Sequence, residues 1–252
     1  MKHVLRTLAN GVRVVEALAE EAMPLRRLTT AVGLPRQTTY RLVQTLIALG
    51  WVERRADDVY ALTARLWGLG VSSFASADLR DRMAGTVRSL AREHGETVHL
   101  AIYERGEVIY VDKADGSHPI RAYTSVGGRA PARCVATGKL LLAHQDAAER
   151  ARVLTQPATA FTERTIVDED AMIAELDAIR GCGYAVNAGE WRPGVGGVAV
   201  AVHACPGEVV GALGFSGPID RLEQHRDALL AGLRAAVEQA LPGAEEASAV
   251  AP

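Results

Sequence analysis

The first quarter of the chain distributes apolar and polar positions at the three- and four-residue steps of helices. One such helix follows Gly33, a residue whose backbone freedom suits a sharp turn. Its core-facing stripe, predicted to be buried, consists of Thr39, Leu42, Val43 and Leu46. A shorter helix with Leu25 and Leu28 precedes the glycine, and the runs WVERR and VYAL in 51–62 flank a tight ADD turn. Helix, turn, helix and hairpin predict a winged helix-turn-helix over 24–62.

The opposite face of the second helix is polar and carries groups that suit DNA. We predict that this face consists of Arg36, Gln37, Thr38, Tyr40, Arg41 and Gln44. Side chains of the type of Arg41 and Gln44 form paired hydrogen bonds with purines in the major groove. Arg54 and Arg55 lie near the hairpin tip, where a wing contacts backbone phosphates. These eight residues predict binding to double-stranded DNA.

The charge distribution changes along the chain and favours the same interpretation. Residues 1–70 contain ten Lys and Arg against six Asp and Glu, whereas residues 71–252 contain eighteen against twenty-four. The net charge of −2 therefore divides into +4 on the first part and −6 on the second. Because a basic segment attracts a polyanion, its coincidence with the predicted helix-turn-helix strengthens the DNA-binding prediction.

Beyond the hairpin the pattern stays helical and then changes to period two. Asp78 is predicted to cap a helix whose buried stripe consists of Leu79, Met83, Val87 and Leu90. Three strands are predicted from Thr97 onward, in TVHLAIYE, EVIYVDKA and PIRAY. The loop VGGRAPAR then leads into the helix CVATGKLLLAHQ and two further short helical stretches.

The last third of the chain combines two more helices with three strands. Asp168 is predicted to cap a helix whose buried face carries Met172, Leu176 and Ile179. The strands follow in GYAVN, GVGGVAVAVHA and EVVGALGFSG, and a final helix is predicted from Asp220 to Leu241. Strands that enclose helices in this order indicate an α+β fold with an antiparallel sheet.

The same pattern divides the chain into four parts. We predict a DNA-binding domain over 1–64, a linker helix over 65–78, a second domain over 79–241 and a disordered tail over 242–252. No apolar run approaches the length of a membrane span, and the first residues lack a signal-peptide core. We therefore expect a cytoplasmic protein without a membrane partner.

Metal and catalytic alternatives remain open but find little support in the spacing. Cys134, Cys182 and Cys205 are odd in number and far apart, which disfavours both a disulfide framework and a structural zinc site. Scattered histidines leave a metal-responsive regulator as one alternative, and a small-molecule enzyme that uses Cys134, with His144 as its partner, as another. Glycine fingerprints for nucleotides and a nucleophile elbow fail at required positions. We predict no catalytic residue, no metal site and no cofactor.

Five colinear segments give the chain a more specific identity. They are GLPRQTTYRLVQTLIALGWVER, GETVHLAIYERGEVIYVDK, GGRAPARCVATGKLLLA, GYAVNAGEWRPGV and GFSGP. In order and spacing the chain resembles the IclR family of bacterial transcriptional regulators over nearly its whole length. The resemblance implies a winged helix-turn-helix, a helical linker and a GAF-like domain that binds a small-molecule effector. It also implies homodimers or tetramers on partly palindromic operators, and we expect a repressor of a catabolic or metabolic operon.

The resemblance also implies an effector site. Its expected residues are Arg129, Ala136, Thr137, Asn187, Glu190, Gly197, Gly214 and Ser216. Backbone amides at Ala136 and Thr137 would hold an anion at a helix start. Glycines at 197 and 214 replace larger polar residues of the family, so we expect an enlarged cavity and an organic acid larger than glyoxylate, with an apolar or aromatic part. Glu190, Trp191 and Arg192 would line its mouth.

Overall fold

The computed structural model describes residues 5–66, 76–119, 124–205 and 207–241. It divides the chain into two compact units, Met1–Ala77 and Asp78–Pro252. The predicted tail over 242–252 and most of the predicted linker, residues 67–75, lie outside the described residues. The boundaries of the four predicted parts therefore stay a prediction.

The first unit is a small helical domain with a three-stranded sheet. Its elements are α1 (Arg6–Glu20), β1 (Met23–Pro24), α2 (Leu25–Val32), α3 (Arg36–Ala48), β2 (Val52–Arg54) and β3 (Val59–Leu62). Gly33 ends α2 with a φ of +62°, a left-handed conformation that glycine adopts without steric penalty. The helices and the sheet enclose a core that includes Val14, Leu28, Val43 and Tyr60. The predicted winged helix-turn-helix is confirmed.

The sheet of this unit contains one strand that the sequence pattern did not predict. The strand order is β1-β3-β2, and both pairings are antiparallel. β1 is only two residues long and pairs Met23 with Tyr60 and Pro24 with Val59. Two residues are too few to show the alternation of apolar and polar positions by which a strand is recognised in a sequence.

The second unit is built on a six-stranded antiparallel sheet with the order β6-β5-β4-β9-β8-β7. Its strands are β4 (Thr97–Glu104), β5 (Glu107–Ala114), β6 (Arg129–Pro131), β7 (Tyr184–Ala188), β8 (Val195–Cys205) and β9 (Glu208–Pro218). Its helices are α4 (Ser76–His94), α5 (Ala136–Ala143), α6 (Ala147–Leu154), α7 (Glu169–Cys182), α8 (Ile219–Gln224) and α9 (Arg226–Ala240). The α+β class with an antiparallel sheet is confirmed.

Each face of this sheet is covered by helices. On one face α4 and α9 contribute Met83, Val87 and Leu233 to a core that also contains Leu100 and Phe215. On the other face a second core joins residues of α5 and α7, among them Leu140, Met172 and Leu176, to strand residues such as Val108 and Ala101. The predicted stripe on α4 and the buried face of α7 are thus confirmed.

Several local predictions need correction. α4 begins at Ser76, so Asp78 lies in its first turn rather than at the cap. The expected loop VGGRAPAR contains β6, which pairs with β5, whereas the strand predicted in PIRAY falls largely on residues 120–123, outside the described residues.

The helices that follow also differ from the prediction. α5 starts at Ala136, because Cys134 belongs to a preceding 3-10 turn. Between α5 and α7 the described residues form one helix, α6, where two were expected.

Of the two remaining helix predictions, one is confirmed and one is wrong. The Asp168 side chain accepts a hydrogen bond from the backbone N–H of Ala171, so the predicted cap of α7 is confirmed. The single final helix is wrong, because the chain breaks at His225 into α8 and α9. Within the described ranges, no helix is long and apolar enough to cross a bilayer.

Candidate functional site

The polar face of α3 is open to solvent. Arg36, Gln37, Thr38, Tyr40 and Arg41 are exposed and Gln44 is half-buried. On the opposite side Thr39 and Val43 are buried, and Leu42 and Leu46 pack against the domain core. The helix therefore presents the six predicted polar residues away from the core, as a helix that enters a DNA groove must do.

A cleft separates this helix from the hairpin formed by β2 and β3. It has a volume of about 650 Å³, and its polar lining residues are Arg26, Arg36, Gln37, Tyr40, Arg54, Asp58 and Tyr60. The structure thus brings four predicted residues together and adds Arg26, which the sequence reasoning missed. Arg26 stands in the first turn of α2, and only the packing of α2 against α3 places it here.

Both wing arginines form ion pairs within the hairpin. The Nε and Nη2 atoms of Arg54 donate to Asp58 Oδ1 over 2.9 and 2.5 Å. Arg55 Nε donates to Glu53 Oε1 over 3.2 Å. Each arginine side chain is more than half exposed, so both can reach an incoming phosphate, but only in competition with a neighbouring carboxylate.

A second candidate site lies in the other unit, between the start of α5 and the sheet. This cavity of about 40 Å³ is lined by six of the predicted effector residues, namely Ala136, Thr137, Asn187, Gly197, Gly214 and Ser216. Trp191 and Arg192 also line it, as expected for its mouth, and the Arg192 guanidinium lies 4.4 Å from the centre of the Trp191 ring. The sequence reasoning missed His99, Tyr110, Thr124 and Phe215.

The two cavity glycines do not enlarge this cavity. A Cβ atom on Gly214 would lie 2.6 Å from the carbonyl oxygen of Val198 and 3.2 Å from Thr137 Cγ2. A Cβ atom on Gly197 would lie 3.1 Å from the carbonyl oxygen of Phe215. The glycines instead allow α5 and the strands to approach closely. The expectation of extra room was therefore wrong.

Neutral hydrogen-bonding groups line one wall of the cavity. His99 is buried and its Nε2 lies 2.5 Å from Thr124 Oγ1, while its ring packs 4.5 Å from that of Tyr110. Burial, and to a smaller extent the charge of Lys113, lowers the pKa of His99 to about 3. Burial also raises the pKa of Tyr110 to about 12. Both side chains are therefore uncharged at neutral pH.

Backbone and side-chain donors complete the lining. Val135 precedes α5 and gives it no side-chain cap, so the first N–H groups of α5 lack that partner, and Ala136 and Thr137, which carry two of them, line the cavity. Ser216 Oγ donates to the carbonyl oxygen of Gly196 over 3.1 Å. Asn187 Oδ1 accepts hydrogen bonds from the N–H groups of Gly189 and Glu190 and thereby fixes the turn after β7.

Two of the predicted effector residues lie outside the cavity lining. Arg129 is at the protein surface, where its guanidinium pairs with Glu104 and Glu107 over 2.6 and 2.9 Å. Glu190 is buried and its carboxylate accepts from Lys139 Nζ over 2.9 Å. In both cases an ion pair within the protein occupies the charged group that was expected to face the ligand.

The surroundings of Cys134, His144 and the possible metal ligands do not favour the catalytic and metal alternatives. Burial raises the pKa of Cys134 to about 11, which disfavours the reactive thiolate. His144 Nδ1 lies 2.9 Å from the carbonyl oxygen of Leu140 on its own helix. Among the described residues, His, Cys, Asp and Glu side chains form no group of three that could hold a metal ion.

Comparison with known proteins agrees with the geometry of both units. A model described as the IclR helix-turn-helix domain matches residues 7–56, and one described as bacterial transcriptional regulator IclR C-terminal matches residues 71–240. The chain is 32% identical to the HTH-type transcriptional regulator KdgR of Escherichia coli over 84% of its own length and 82% of that protein. It is 28% identical to the transcriptional repressor IclR of the same organism, over 88% and 83% of the two chains.

A solved structure has a similar fold. The crystal structure of an IclR homolog complexed with 4-hydroxybenzoate, from Microbacterium hydrocarbonoxydans, superposes with a TM-score of 0.79 at 26% identity, covering 93% of this chain and 98% of that one. Because a family model covers most of the second unit and another covers the helix-turn-helix, the chain belongs to the IclR family and is a DNA-binding transcriptional regulator that responds to a small molecule.

Proposed function

We propose that the protein is a homodimeric repressor of a catabolic or metabolic operon, able to pair into tetramers, that binds a partly palindromic operator. The observation that carries this proposal is the exposed polar face of α3 beside a cleft with three arginines. In this mechanism α3 of each subunit enters the major groove of one half-site. Arg41 and Gln44 contact bases, and Arg54 and Arg55 contact phosphates.

The assignment as a repressor rests on relatives. The transcriptional repressor IclR of Escherichia coli and the transcriptional repressor AllR of Klebsiella pneumoniae are 28% and 30% identical to this chain. A bound repressor acts by occupying the promoter, so it needs no contact beyond those of the DNA-binding surface. The wing, the polar face of α3 and a two-fold arrangement of subunits suffice for that role.

The effector that we propose is an organic acid larger than glyoxylate. Its carboxylate would accept hydrogen bonds from the N–H groups at the start of α5, and its other polar groups would meet the neutral His99 and Tyr110 side chains. The complex of the Microbacterium homolog with 4-hydroxybenzoate supports an aromatic acid. A cavity of about 40 Å³ holds only about three water molecules, so Trp191 and Arg192 must move outward to admit such a ligand.

Binding of the acid affects DNA only if the ligand prefers one arrangement of the dimer over another. A coupling free energy of about 1–3 kcal/mol, typical of allosteric proteins, changes operator affinity by about 5- to 150-fold. We propose that the acid favours the arrangement with lower operator affinity, because a repressor of a catabolic operon is released when its substrate accumulates.

The test begins with DNA. Fluorescence anisotropy with a labelled fragment from upstream of the gene is expected to show preferential binding over random-sequence DNA of the same length at one fixed salt concentration. Thermal-shift screening of aromatic and short-chain acids then identifies ligands, and the best of them is expected to weaken operator binding. Equal affinity for both DNAs would refute the regulatory proposal, and stabilisation by no organic acid would refute the ligand class.

A further inference from the structure

The turn of the wing contains an acidic residue in an unusual backbone conformation. Asp58 has a φ of +60°, and the turn is closed by hydrogen bonds from Arg55 N to Val59 O and from Asp58 N to Arg55 O. Asparagine, aspartate and glycine are the residues that adopt this left-handed conformation most readily. The backbone conformation of the turn would therefore also accept the neutral residues asparagine and glycine at position 58. It does not explain why this residue carries a negative charge.

The carboxylate of Asp58 is committed to one partner. Its Oδ1 accepts hydrogen bonds from both Nε and Nη2 of Arg54. The two side chains are 73% and 55% exposed, and an ion pair so accessible to water contributes little to stability. Folding stability alone thus gives a weak reason for a charged residue at this position.

The position of the pair relative to α3 gives a stronger reason. Both Arg54 and Asp58 line the cleft that also contains Arg36, Gln37 and Tyr40. Among the described residues that line the cleft, Asp58 is the only acidic one. A phosphate that approaches the wing meets this negative charge, and Arg54 must leave Asp58 before it can pair fully with the phosphate.

We infer that Asp58 is a specificity-determining residue of the DNA-binding surface, which holds Arg54 in the cleft and opposes sequence-independent phosphate binding by the wing. Non-specific binding consists almost entirely of charge contacts, so it bears the full effect of the Asp58 carboxylate. On an operator, base contacts by α3 set the register of the wing, so that in this inference Arg54 contacts a phosphate through Nη1 while its Nε and Nη2 stay paired with Asp58. The inference rests on the proposed role of α3 and the wing in DNA binding.

The chain offers a matched control for this inference. Asp57 is the preceding residue of the same turn and is also exposed, but Arg54 donates to Asp58. The variants Asp58→Asn and Asp57→Asn change the net charge equally, and asparagine retains the backbone conformation at position 58. A difference between them therefore reports the pairing with Arg54 rather than the general charge of the domain.

The experiment compares two DNAs, an operator selected by the wild-type protein from a random-sequence pool and a random-sequence duplex of the same length. We expect Asp58→Asn to raise affinity for the random duplex about tenfold and to steepen its salt dependence by about one phosphate contact. The same variant is expected to raise operator affinity less than threefold. Asp57→Asn is expected to raise the affinity for both DNAs by one common factor, below threefold. In an Arg54→Ala background, Asp58→Asn is expected to change the affinity for either DNA by no more than Asp57→Asn does.

Three results would overturn the inference while leaving the proposed function intact. They are equal effects of the two asparagine variants, a loss of affinity for both DNAs in Asp58→Asn, and an undiminished effect of Asp58→Asn when Arg54 is absent. Failure of the wild-type protein to select any sequence from the pool would instead refute the proposed function, and the inference with it.

Discussion

At the scale of single residues, the environment of His99 shows how burial sets the chemistry of a site. A histidine in water is about half protonated near pH 6.5, but His99 is enclosed by the sheet, α5 and Tyr110 and is only 3% exposed. With its pKa lowered to about 3, the ring is neutral and either donates or accepts a hydrogen bond. With that wall uncharged, the anion-attracting features of the cavity are the positive end of α5 and the Arg192 guanidinium at its mouth.

This lowered pKa predicts a pH dependence of stability. The unfolded chain protonates His99 below about pH 6.5, whereas the folded chain does so only near pH 3, so stability is present in full above pH 6.5 and decreases as the pH falls toward 3. Between pH 7 and pH 5 this group alone is expected to lower the free energy of unfolding by about 2 kcal/mol. Urea unfolding at both pH values measures it.

His99→Gln removes the titrating group and retains a polar side chain next to Thr124. The variant is expected to lose less stability than the wild-type protein between pH 7 and pH 5. His225→Gln, at an exposed position between α8 and α9, is the control and is expected to behave like the wild type. Equal losses in all three proteins would contradict the neutral, buried state of His99.

At the scale of secondary-structure elements, a buried ion cluster connects α5, α7 and the turn after β7. Lys139 in α5 is 1% exposed, and its Nζ donates to Glu175 of α7 over 2.7 Å and to Glu190 over 2.9 Å. Burial raises the pKa of Glu190, although Lys139 partly opposes that shift. The cluster fixes the turn that carries Trp191 and Arg192, so it positions the mouth of the cavity without lining it.

Substitution of Lys139 is expected to lower the stability of the folded protein strongly. Lys139→Met leaves the carboxylate of Glu190 buried without its partner and should lower the free energy of unfolding by about 3–5 kcal/mol. Lys139→Met combined with Glu190→Gln removes that unpaired charge and should recover part of the loss, as a double-mutant cycle by urea unfolding would show. Additive effects of the two substitutions would mean that the pair is not coupled.

The helix α3 and the wing also separate by role. Arg41→Ala removes a side chain of the polar face of α3 and should relax discrimination between base sequences, with a loss of about 1–3 kcal/mol on the operator. Arg54→Ala with Arg55→Ala should weaken binding to all sequences and flatten the salt dependence. Titrations of operator and random DNA at several salt concentrations distinguish the two outcomes, and identical effects would contradict the assigned roles.

The elements also show which features sequence can predict. The stripe on α3 and the cap at Asp168 follow from local spacing, and both are present in the structure. The apolar spacing does not mark the break at His225, and the strand β6 depends on its pairing with β5, which no local period encodes. For the same reason the sequence could not show that Arg129 lies away from the effector site, because its position in β6 directs it to Glu104 and Glu107.

The missed wall of the cavity has a specific cause in the sheet. Between β4 and β5 the register pairs Leu100 with Asp112 and Ala101 with Tyr110, so Val111 is an extra residue on β5. This β-bulge brings Tyr110 to the face of the sheet that carries His99. His99 pairs with Lys113, and strict alternation along β5 would place positions 110 and 113 on opposite faces. The resemblance to a family supplied six of the other lining residues, but it carries no information about a bulge.

At the scale of the whole molecule, the proposed function requires that ligand binding and DNA binding be separable. The cavity residues belong to the second unit and the polar face of α3 to the first. A change confined to the cavity should therefore alter the response to an effector while the intrinsic affinity for operator stays nearly constant. The best position for such a change is one that fills the cavity without straining the backbone.

Ala136 meets that requirement better than the cavity glycines. It is the first residue of α5, is 4% exposed and lines the cavity, whereas any side chain at Gly197 or Gly214 would meet a strand carbonyl oxygen within 3.1 Å. Ala136→Leu adds three carbon atoms to a cavity of about 40 Å³, and so occupies the space that the carboxylate of an effector would need.

We expect Ala136→Leu to abolish the change in operator affinity caused by the best organic acid from the thermal-shift screen, together with the thermal shift itself. Operator affinity without the acid should stay within about threefold of wild type, because a coupling can act only through differential ligand binding. Ala147→Leu, at an exposed position in α6, provides the control and should respond normally. A full response in Ala136→Leu would place the effector elsewhere in the protein, whereas loss of operator binding without ligand would show that the start of α5 sets the DNA-binding arrangement itself.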